Sequence, residues 1–194
     1  GQVVRATFSG TAGQTLGFAY TDLSLTPSGA YMATVAYYAP NGTQIASLTN
    51  LPQTGTYTVL LSPSHDTTQS SMKLWLSSEA TGTLSAGSAV TVAAARPGQA
   101  ARFTYAGTAG QELRMTTAST ATTPASQRIA VYIYKPDGSC LYVSCYYNVT
   151  STSGHVDLPA LPTTGNYIFL SDINIYDNQN ATFTSNVTLT VLNP

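Results

Sequence analysis

The sequence predicts an all-β protein made of two tandem antiparallel β-sandwich domains of jelly-roll-like type. Three observations support this prediction. Strand-length runs of β-branched and aromatic residues recur along the 194 residues, turn signals such as PNG and PDG separate them, and no stretch shows a helical period over ten residues. Most of the chain also occurs twice in the same order, which indicates one folding unit used twice.

Three pairs of segments carry the repeat. They match in order and rough spacing, and they are GQVVRATFSGTAGQTL with GQAARFTYAGTAGQEL (1–16 and 98–113), APNG with KPDG (39–42 and 135–138), and LPQTGTY with LPTTGNY (51–57 and 161–167). The last two segments lie further apart in the second copy, which therefore carries an insertion within 139–160. We expect domains at 1–84 and 85–194, because 78–88 is rich in Gly, Ser and Thr.

The predicted strands are the β-branched and aromatic runs between the turns. In chain order they are 31–39, 56–61 and 71–77 in the first copy, and 89–98, 128–134, 166–171 and 186–192 in the second. With strands in the intervening segments, each copy is expected to hold about seven or eight. The strand at 89–98 has no counterpart in the first copy, since Gly1 matches Gly98. This predicts an unpaired sheet edge.

The closing strands, 71–77 and 185–191, align by pattern and show alternation. The first has Met72, Leu74 and Leu76 on one face, which predicts that this face is buried and that Trp75 points outward with its neighbours Lys73 and Ser77.

Each LPxTG pentapeptide is predicted to be a strand-entry turn. Pro ends the preceding segment, Gly permits the reversal, and Tyr57 or Tyr167 is expected to pack and hydrogen-bond back across the corner. LPxTG also occurs in sortase sorting signals, but those precede an apolar segment and a basic tail, whereas TYTVLL and NYIFLS follow here.

Composition excludes some partners. Only 8% of the residues are charged and the formal net charge is −1. No basic field would attract nucleic acid, and no apolar run reaches the roughly 18 residues of a membrane span. Polarity that comes from Thr, Ser, Asn, Gln and Tyr is common on secreted and cell-surface proteins, so we expect an extracellular location.

The two cysteines, Cys140 and Cys145, lie within the insertion with four residues between them. A CxxC redox or zinc spacing is absent. One local disulfide is favoured over two free thiols, and it would indicate an oxidising compartment.

Together the motifs resemble a known family. The order GQxxRxTFxGTAGQxL, xPDG, LPxTGxYxVxL and a Thr-rich closing strand is similar to the bacterial pre-peptidase C-terminal-like (PPC-like) β-sandwich domains, in the tandem form of large secreted or surface proteins. The resemblance covers nearly the whole chain, twice. It implies a non-catalytic accessory module beside other domains of a parent protein, in a family some of whose members are thought to bind polysaccharide or calcium. No binding residue of the family transfers to this sequence.

Aromatic residues are the first candidate ligand-binding groups. Exposed flat rings can stack against the apolar faces of sugars, although they can equally cover a domain contact or strengthen strands. The candidates are Trp75, outward by alternation, Tyr132 and Tyr134, opposite the apolar face of their strand, and the insertion residues Tyr142, Tyr146 and Tyr147.

A calcium site is the second candidate, in SDINIYDNQN (171–180). Its Asp172, Asp177 and Asn178 offer the oxygen ligands that calcium prefers. The spacing is not that of an EF-hand loop, and such residues also form ordinary turns. We expect no other cofactor.

Catalysis is not expected. Only His65 and His155 could act as bases, and no nucleophile elbow, zinc-protease helix or nucleotide-binding fingerprint occurs. Two functions remain open: a secreted or surface accessory module that binds a polysaccharide or another surface polymer, and a structural spacer or self-assembling subunit that accepts a strand from a neighbour.

Overall fold

The computed structural model describes residues 3–64, 67–150, 152–173 and 180–193. Every regular element among them is a β-strand, which confirms the all-β prediction. The chain divides into two compact units, Gly1–Ser78 and Glu79–Pro194, called here the first and second units. Each has two sheets packed around its own core.

The first unit contains six described strands. They are β1 (Val4–Gly10), β2 (Leu16–Thr26), β3 (Met32–Tyr38), β4 (Gln44–Ile45), β5 (Gly55–Pro63) and β6 (Gln69–Ser78). One sheet has the order β1-β5-β3-β4 and the other is the pair β2-β6. Phe18 of β2 meets Tyr37 of β3 edge to face, with ring centroids 5.8 Å apart, so the core lies between the two sheets.

The second unit contains nine described strands. They are β7 (Ala80–Thr83), β8 (Ala89–Ala94), β9 (Ala101–Gly107), β10 (Leu113–Thr123), β11 (Ile129–Tyr134), β12 (Tyr146–Val149), β13 (Gly154–Asp157), β14 (Gly165–Ile173) and β15 (Thr182–Val191). The sheets have the orders β12-β11-β14-β9-β7 and β13-β10-β15-β8. Buried side chains of both sheets, including Met115, Phe169 and Leu189, form one continuous core.

The two units share a plan that differs at the insertion. The strands β1, β2, β3, β5 and β6 correspond to β9, β10, β11, β14 and β15. Both β2 and β10 carry a bulge, where Asp22 and Ser119 have positive φ values of 54° and 52°. The insertion supplies β12, which pairs with β11, and β13, which pairs with β10, so it widens both sheets.

Each LPxTG segment forms the predicted tyrosine corner. The hydroxyl of Tyr57 donates a hydrogen bond to the carbonyl oxygen of Gln53 at 2.6 Å, and that of Tyr167 donates to the carbonyl oxygen of Thr163 at 2.7 Å. Both tyrosines are fully buried. The motif therefore has the same structural use in both units.

The boundary between the units lies between Ser78 and Glu79, rather than between residues 84 and 85. Residues 80–83, which look like linker in the sequence, form β7 and pair in parallel with β9. Gly82 lies against the ring of Phe103, where an added Cβ would overlap Cε1. Glycine here serves close packing, not flexibility.

The closing strands β6 and β15 correspond to each other, but their equivalent residues are shifted by one position from the sequence alignment of 71–77 with 185–191. Leu76 lies opposite Phe18, and Leu189 lies opposite Met115, the residue equivalent to Phe18. Leu76 therefore corresponds to Leu189, one position away from the pairing of 71–77 with 185–191. Such a slip reverses every side chain in a strand, and only the corrected register aligns the two inward leucines.

The faces of β6 follow the predicted alternation except at Ser77. Lys73 is exposed and Trp75 half-buried on the outer face, whereas Leu76 packs on the core. Ser77, expected to point outward into solvent, is buried. It is small, lies opposite Gly17 and follows the large Trp75 side chain on the same face.

Candidate functional site

Two tyrosines lie on the outer face of the five-stranded sheet of the second unit. Tyr132 and Tyr134 alternate along β11 with the buried Val131 and Ile133, as the sequence predicted. Both tyrosines are half-buried. Their rings are almost parallel, at 8°, with centroids 6.4 Å apart. They form a small aromatic surface on one strand.

The insertion adds a third ring to this surface. Tyr146 of β12 lies directly opposite Tyr132, and the centroids of the two rings are 5.4 Å apart with the planes inclined at 49°. We call Tyr132, Tyr134 and Tyr146 the tyrosine face. The sequence proposed all three as ligand-binding residues, and the structure brings these three together.

A disulfide fixes the loop that leads into Tyr146. Cys140 and Cys145 are bonded, which confirms the predicted pairing. The backbone N–H of Leu141 donates to the carbonyl oxygen of Ile133 at 2.8 Å, so the loop is tied to the strand that carries the other two rings. Constraints of this kind restrict the unfolded chain and favour the ordered loop.

The other two tyrosines of the insertion point to the core. Tyr142 and Tyr147 are half-buried and pack against the hydrophobic core of the second unit. Burial raises the pKa of Tyr142 to about 12, and its hydroxyl has no hydrogen-bond partner among the described residues. Both residues support the loop from beneath and are separate from the tyrosine face.

A charged pair lies across the sheet from the tyrosine face. Tyr132 is opposite Leu170 of β14, which in turn is opposite Arg102 of β9. Glu79 accepts two hydrogen bonds from Arg102, at 2.6 and 3.0 Å. Sequence reasoning did not single out these residues, although an arginine at this place in both copies of the repeated GQxxRxT segment was an available signal.

The carboxyl group of Asp172 also lies close to the tyrosine face. Asp172 is opposite Ala130 on β11, two residues along the strand from Tyr132. Burial raises the pKa of Asp172 to about 6, the N–H of Ile173 lowers it, and the nearby Glu79 raises it again. Burial also raises the pKa of Tyr132, and Asp172 adds to that effect.

The raised pKa of Asp172 predicts a pH-dependent stability. Because its folded pKa of about 6 exceeds its ordinary value of 3.8, protonation favours the folded state. This contribution is complete below about pH 4 and is lost as the pH rises through 6. We expect Asp172→Asn to match the wild type near pH 4 and to exceed its free energy of unfolding by about 2 kcal/mol at pH 8. Denaturant titrations at both pH values measure the difference.

Asp157→Asn provides the control of opposite sign. A hydrogen bond from Arg114 lowers the pKa of Asp157, so its contribution is present at neutral pH and lost in acid. The Asp157 variant should therefore lose stability at pH 8 relative to the wild type. Parallel pH profiles for the wild type and Asp172→Asn would contradict the assignment to Asp172.

Trp75, the remaining aromatic candidate, belongs to the first unit. Its Nε1–H donates to the hydroxyl of Thr21 at 2.8 Å, and the ammonium of Lys73 lies 4.2 Å from the ring centroid. The N–H group and the ring face of Trp75 therefore each already have a partner within the first unit.

The first unit has a smaller surface at the place that corresponds to the tyrosine face. Arg5, Tyr38 and Leu60 correspond to Arg102, Tyr134 and Leu170. They line a groove of about 500 Å³ on the outer face of the β1-β5-β3-β4 sheet. Ala36 lies where Tyr132 stands in the second unit, so the groove has one ring where the tyrosine face has three.

The predicted calcium site is only partly within the described residues. Asp177 and Asn178 lie outside them, while Asp172 lies on β14. The structure contains no group of three His, Cys, Asp or Glu residues able to hold a metal ion within 3–64, 67–150, 152–173 and 180–193. The calcium site stays a prediction.

Only one of the two histidines considered as possible bases lies within the described residues. His65 lies outside the described residues, and His155 is exposed on β13. Asp157, two residues further on, accepts hydrogen bonds from Arg114 at 2.6 and 2.8 Å through its two oxygens. Arg114 is thus the hydrogen-bond partner of the carboxylate, and the nearby His155 adds to the lowering of the Asp157 pKa.

Comparison with protein-family models finds no match, and comparison with curated proteins finds no significant relative. The PPC-like resemblance therefore stays a prediction from the motifs. Among the residues that the structure describes, no helix is long and apolar enough to cross a membrane.

Proposed function

We propose that this chain is a non-catalytic secreted or cell-surface module whose tyrosine face binds a carbohydrate. One observation carries the proposal: the second unit gathers three half-buried tyrosine rings on one sheet face, with the ring of Tyr132 lying 6.4 Å from that of Tyr134 and 5.4 Å from that of Tyr146. Aromatic rings give a large apolar contact at low entropic loss and still offer a hydroxyl for hydrogen bonding.

The groups around the rings suit a polyhydroxylated ligand. Arg102, paired with Glu79, presents a polar group two strands away from Tyr132, about 10 Å across the sheet. Asp172 offers a carboxyl group on the adjoining strand. Rings flanked by planar polar groups can meet both the apolar faces and the hydroxyl edges of a sugar. Two strands' width is enough for more than one sugar ring, which favours a polysaccharide.

Two of the acidic residues, Glu79 and Asp157, favour a binding function over catalysis, whereas Asp172, with its pKa raised by burial to about 6, is a group that catalysis could use. Glu79 and Asp157 are each held by an arginine, and a general acid–base pair needs carboxyl groups that can exchange protons with a substrate. The Cys140–Cys145 disulfide is typical of proteins that fold in oxidising compartments. Together with the low charge, it favours an extracellular location.

A polysaccharide array followed by affinity electrophoresis tests this function. We expect binding to fall about tenfold in Tyr132→Ala or Tyr146→Ala, since each removes a stacking surface. Tyr132→Phe keeps the ring and should keep most of the affinity. Tyr31→Ala is the matched control, because Tyr31 is a 64% exposed tyrosine in the first unit.

The result has two decisive outcomes. Loss of binding in the two tyrosine-face variants, with binding intact in Tyr31→Ala, supports the proposal. It fails if the array reveals no ligand, or if a ligand binds equally well to Tyr132→Ala and Tyr146→Ala. Circular dichroism of each variant establishes that the fold is unchanged.

A further inference from the structure

The β2-β6 sheet of the first unit has half the strands of its counterpart. In the second unit, the equivalent pair β10-β15 is flanked by β13 on one side and by β8 on the other. Within the part of the chain that the structure describes, β6 pairs only with β2. The backbone groups along its other edge at residues 70–75 are therefore available for strand pairing.

The second unit shows what occupies this edge. The strand β8 runs antiparallel to β15, with Val92 opposite Ser185 and Val90 opposite Val187. Val92 and Ala94 are buried in the core, at 3% and 0% exposure. Thus β8 both pairs with the edge and closes the side of the sandwich with alternate small apolar residues.

The corrected register identifies the equivalent acceptor on β6. Since Leu76 corresponds to Leu189, the part of β15 that pairs with β8, residues 183–188, corresponds to 70–75 of β6. Leu74 then takes the place of Val187, and Lys73 that of Asn186. The acceptor stretch is a regular strand of alternating faces.

The interior of the first unit is open in the way that a missing strand would leave it. Val187 and Leu189 are buried, at 5% and 0% exposure, whereas their counterparts Leu74 and Leu76 are only half-buried. The same difference separates inward residues of the opposite sheet: Val131 is buried and its counterpart Val35 is half-buried. Apolar surface left in contact with water favours the addition of a covering segment.

We propose that β6 accepts an incoming extended peptide segment, antiparallel to residues 70–75 and in the register that β8 uses on β15. The segment carries small apolar residues at alternate positions, facing the open core. Its occupant is an extended segment from outside these 194 residues, because β8, the strand that fills this position in the second unit, is already paired with β15.

The charge of Lys73 restricts which residue the incoming segment can carry opposite it. In the second unit, the hydroxyl of Thr91 donates to Oδ1 of Asn186 at 2.8 Å. The counterpart of Asn186 is Lys73, whose ammonium can only donate. The incoming residue opposite Lys73 is therefore one that accepts, either a hydroxyl or a carboxylate.

An extended version of the chain tests the proposal. Residues 89–97 are placed before Gly1, which reproduces the connection from β8 to β9 because Gly1 corresponds to Gly98. Fusion raises the local concentration of the strand, so even weak pairing is measurable. We expect hydrogen exchange of the amides in 70–75 to slow at least tenfold, and the fluorescence of Trp75, the single tryptophan, to change.

The matched control carries Val90→Asp and Val92→Asp in the added segment only. These carboxylates would enter the apolar interior, so protection of 70–75 should be absent, while the amides of the central strand β5 exchange equally in both proteins. Equal exchange of 70–75 in the two extended chains would overturn the proposal. So would a dimer of the unextended chain whose β6 amides are protected, because the occupant would then be a second copy, the self-assembling subunit that the sequence also predicted.

Discussion

Leu189→Ala is expected to lower the free energy of unfolding of the second unit by about 3 kcal/mol. Leu189 is fully buried between the two sheets, opposite Met115. Truncation removes its apolar contacts and leaves a cavity that a well-packed core cannot close. Urea unfolding, followed by near-ultraviolet circular dichroism of the tyrosines, measures the change.

Leu76→Ala is the matched substitution in the first unit. Its side chain has the equivalent place but is half-buried at the open side of the sandwich. We therefore expect the free energy of unfolding of the first unit to fall by only about 1 kcal/mol. Urea unfolding monitored by the fluorescence of Trp75 measures this change. Equal losses for the two leucines would show that the first unit is as closed as the second, and would count against an acceptor edge on β6.

The elements that the sequence predicted are those with a local pattern. Alternation along 128–134 placed Tyr132 and Tyr134 outward, and the short spacing of Cys140 and Cys145 indicated their disulfide. The tyrosine corners followed from Pro, Gly and Tyr at fixed positions. In each case the residues that interact lie within a few positions of one another.

The features that were not predicted depend on contacts between distant segments. Gly82 looks like linker because its partner, the ring of Phe103, is on another strand. Tyr142 and Tyr147 were indistinguishable from Tyr146, since a loop without periodicity gives no inward face. The Arg102–Glu79 pair joins β9 to the residue before β7, and that segment was not recognised as part of the second unit.

The register of the closing strand shows the same limit. Residues 71–77 can be matched to 185–191 in two registers that differ by one residue, and short Ser- and Thr-rich strands do not discriminate between them. Pairing with Phe18 and Met115 decides the register. The acceptor stretch on β6 could not be located without it, because a shift of one residue would exchange the inward and outward positions.

Gly165→Ala is expected to destabilise the second unit by about 3 kcal/mol or more, from two separate causes. Gly165 has a φ of 154°, a conformation that L side chains rarely adopt, and a Cβ there would stand 2.7 Å from Cγ of Pro136. The LPxTG corner and the PDG turn thus meet at a point where only hydrogen fits. Gly55→Ala should have the same effect in the first unit, where a Cβ would stand 2.8 Å from Cγ of Pro40.

Gly110→Ala separates the two causes. Gly110 also has a positive φ, of 81°, but no atom would lie within 4 Å of an added Cβ, so only the conformational penalty of about 1 kcal/mol applies. The double variant Gly165→Ala with Pro136→Ala removes Cγ and should recover part of the loss, which gives a favourable interaction energy in a double-mutant cycle. If Gly165→Ala costs no more than Gly110→Ala, the contact between the corner and the turn does not constrain the fold, and the glycine of the repeated pentapeptide is required for its backbone conformation alone.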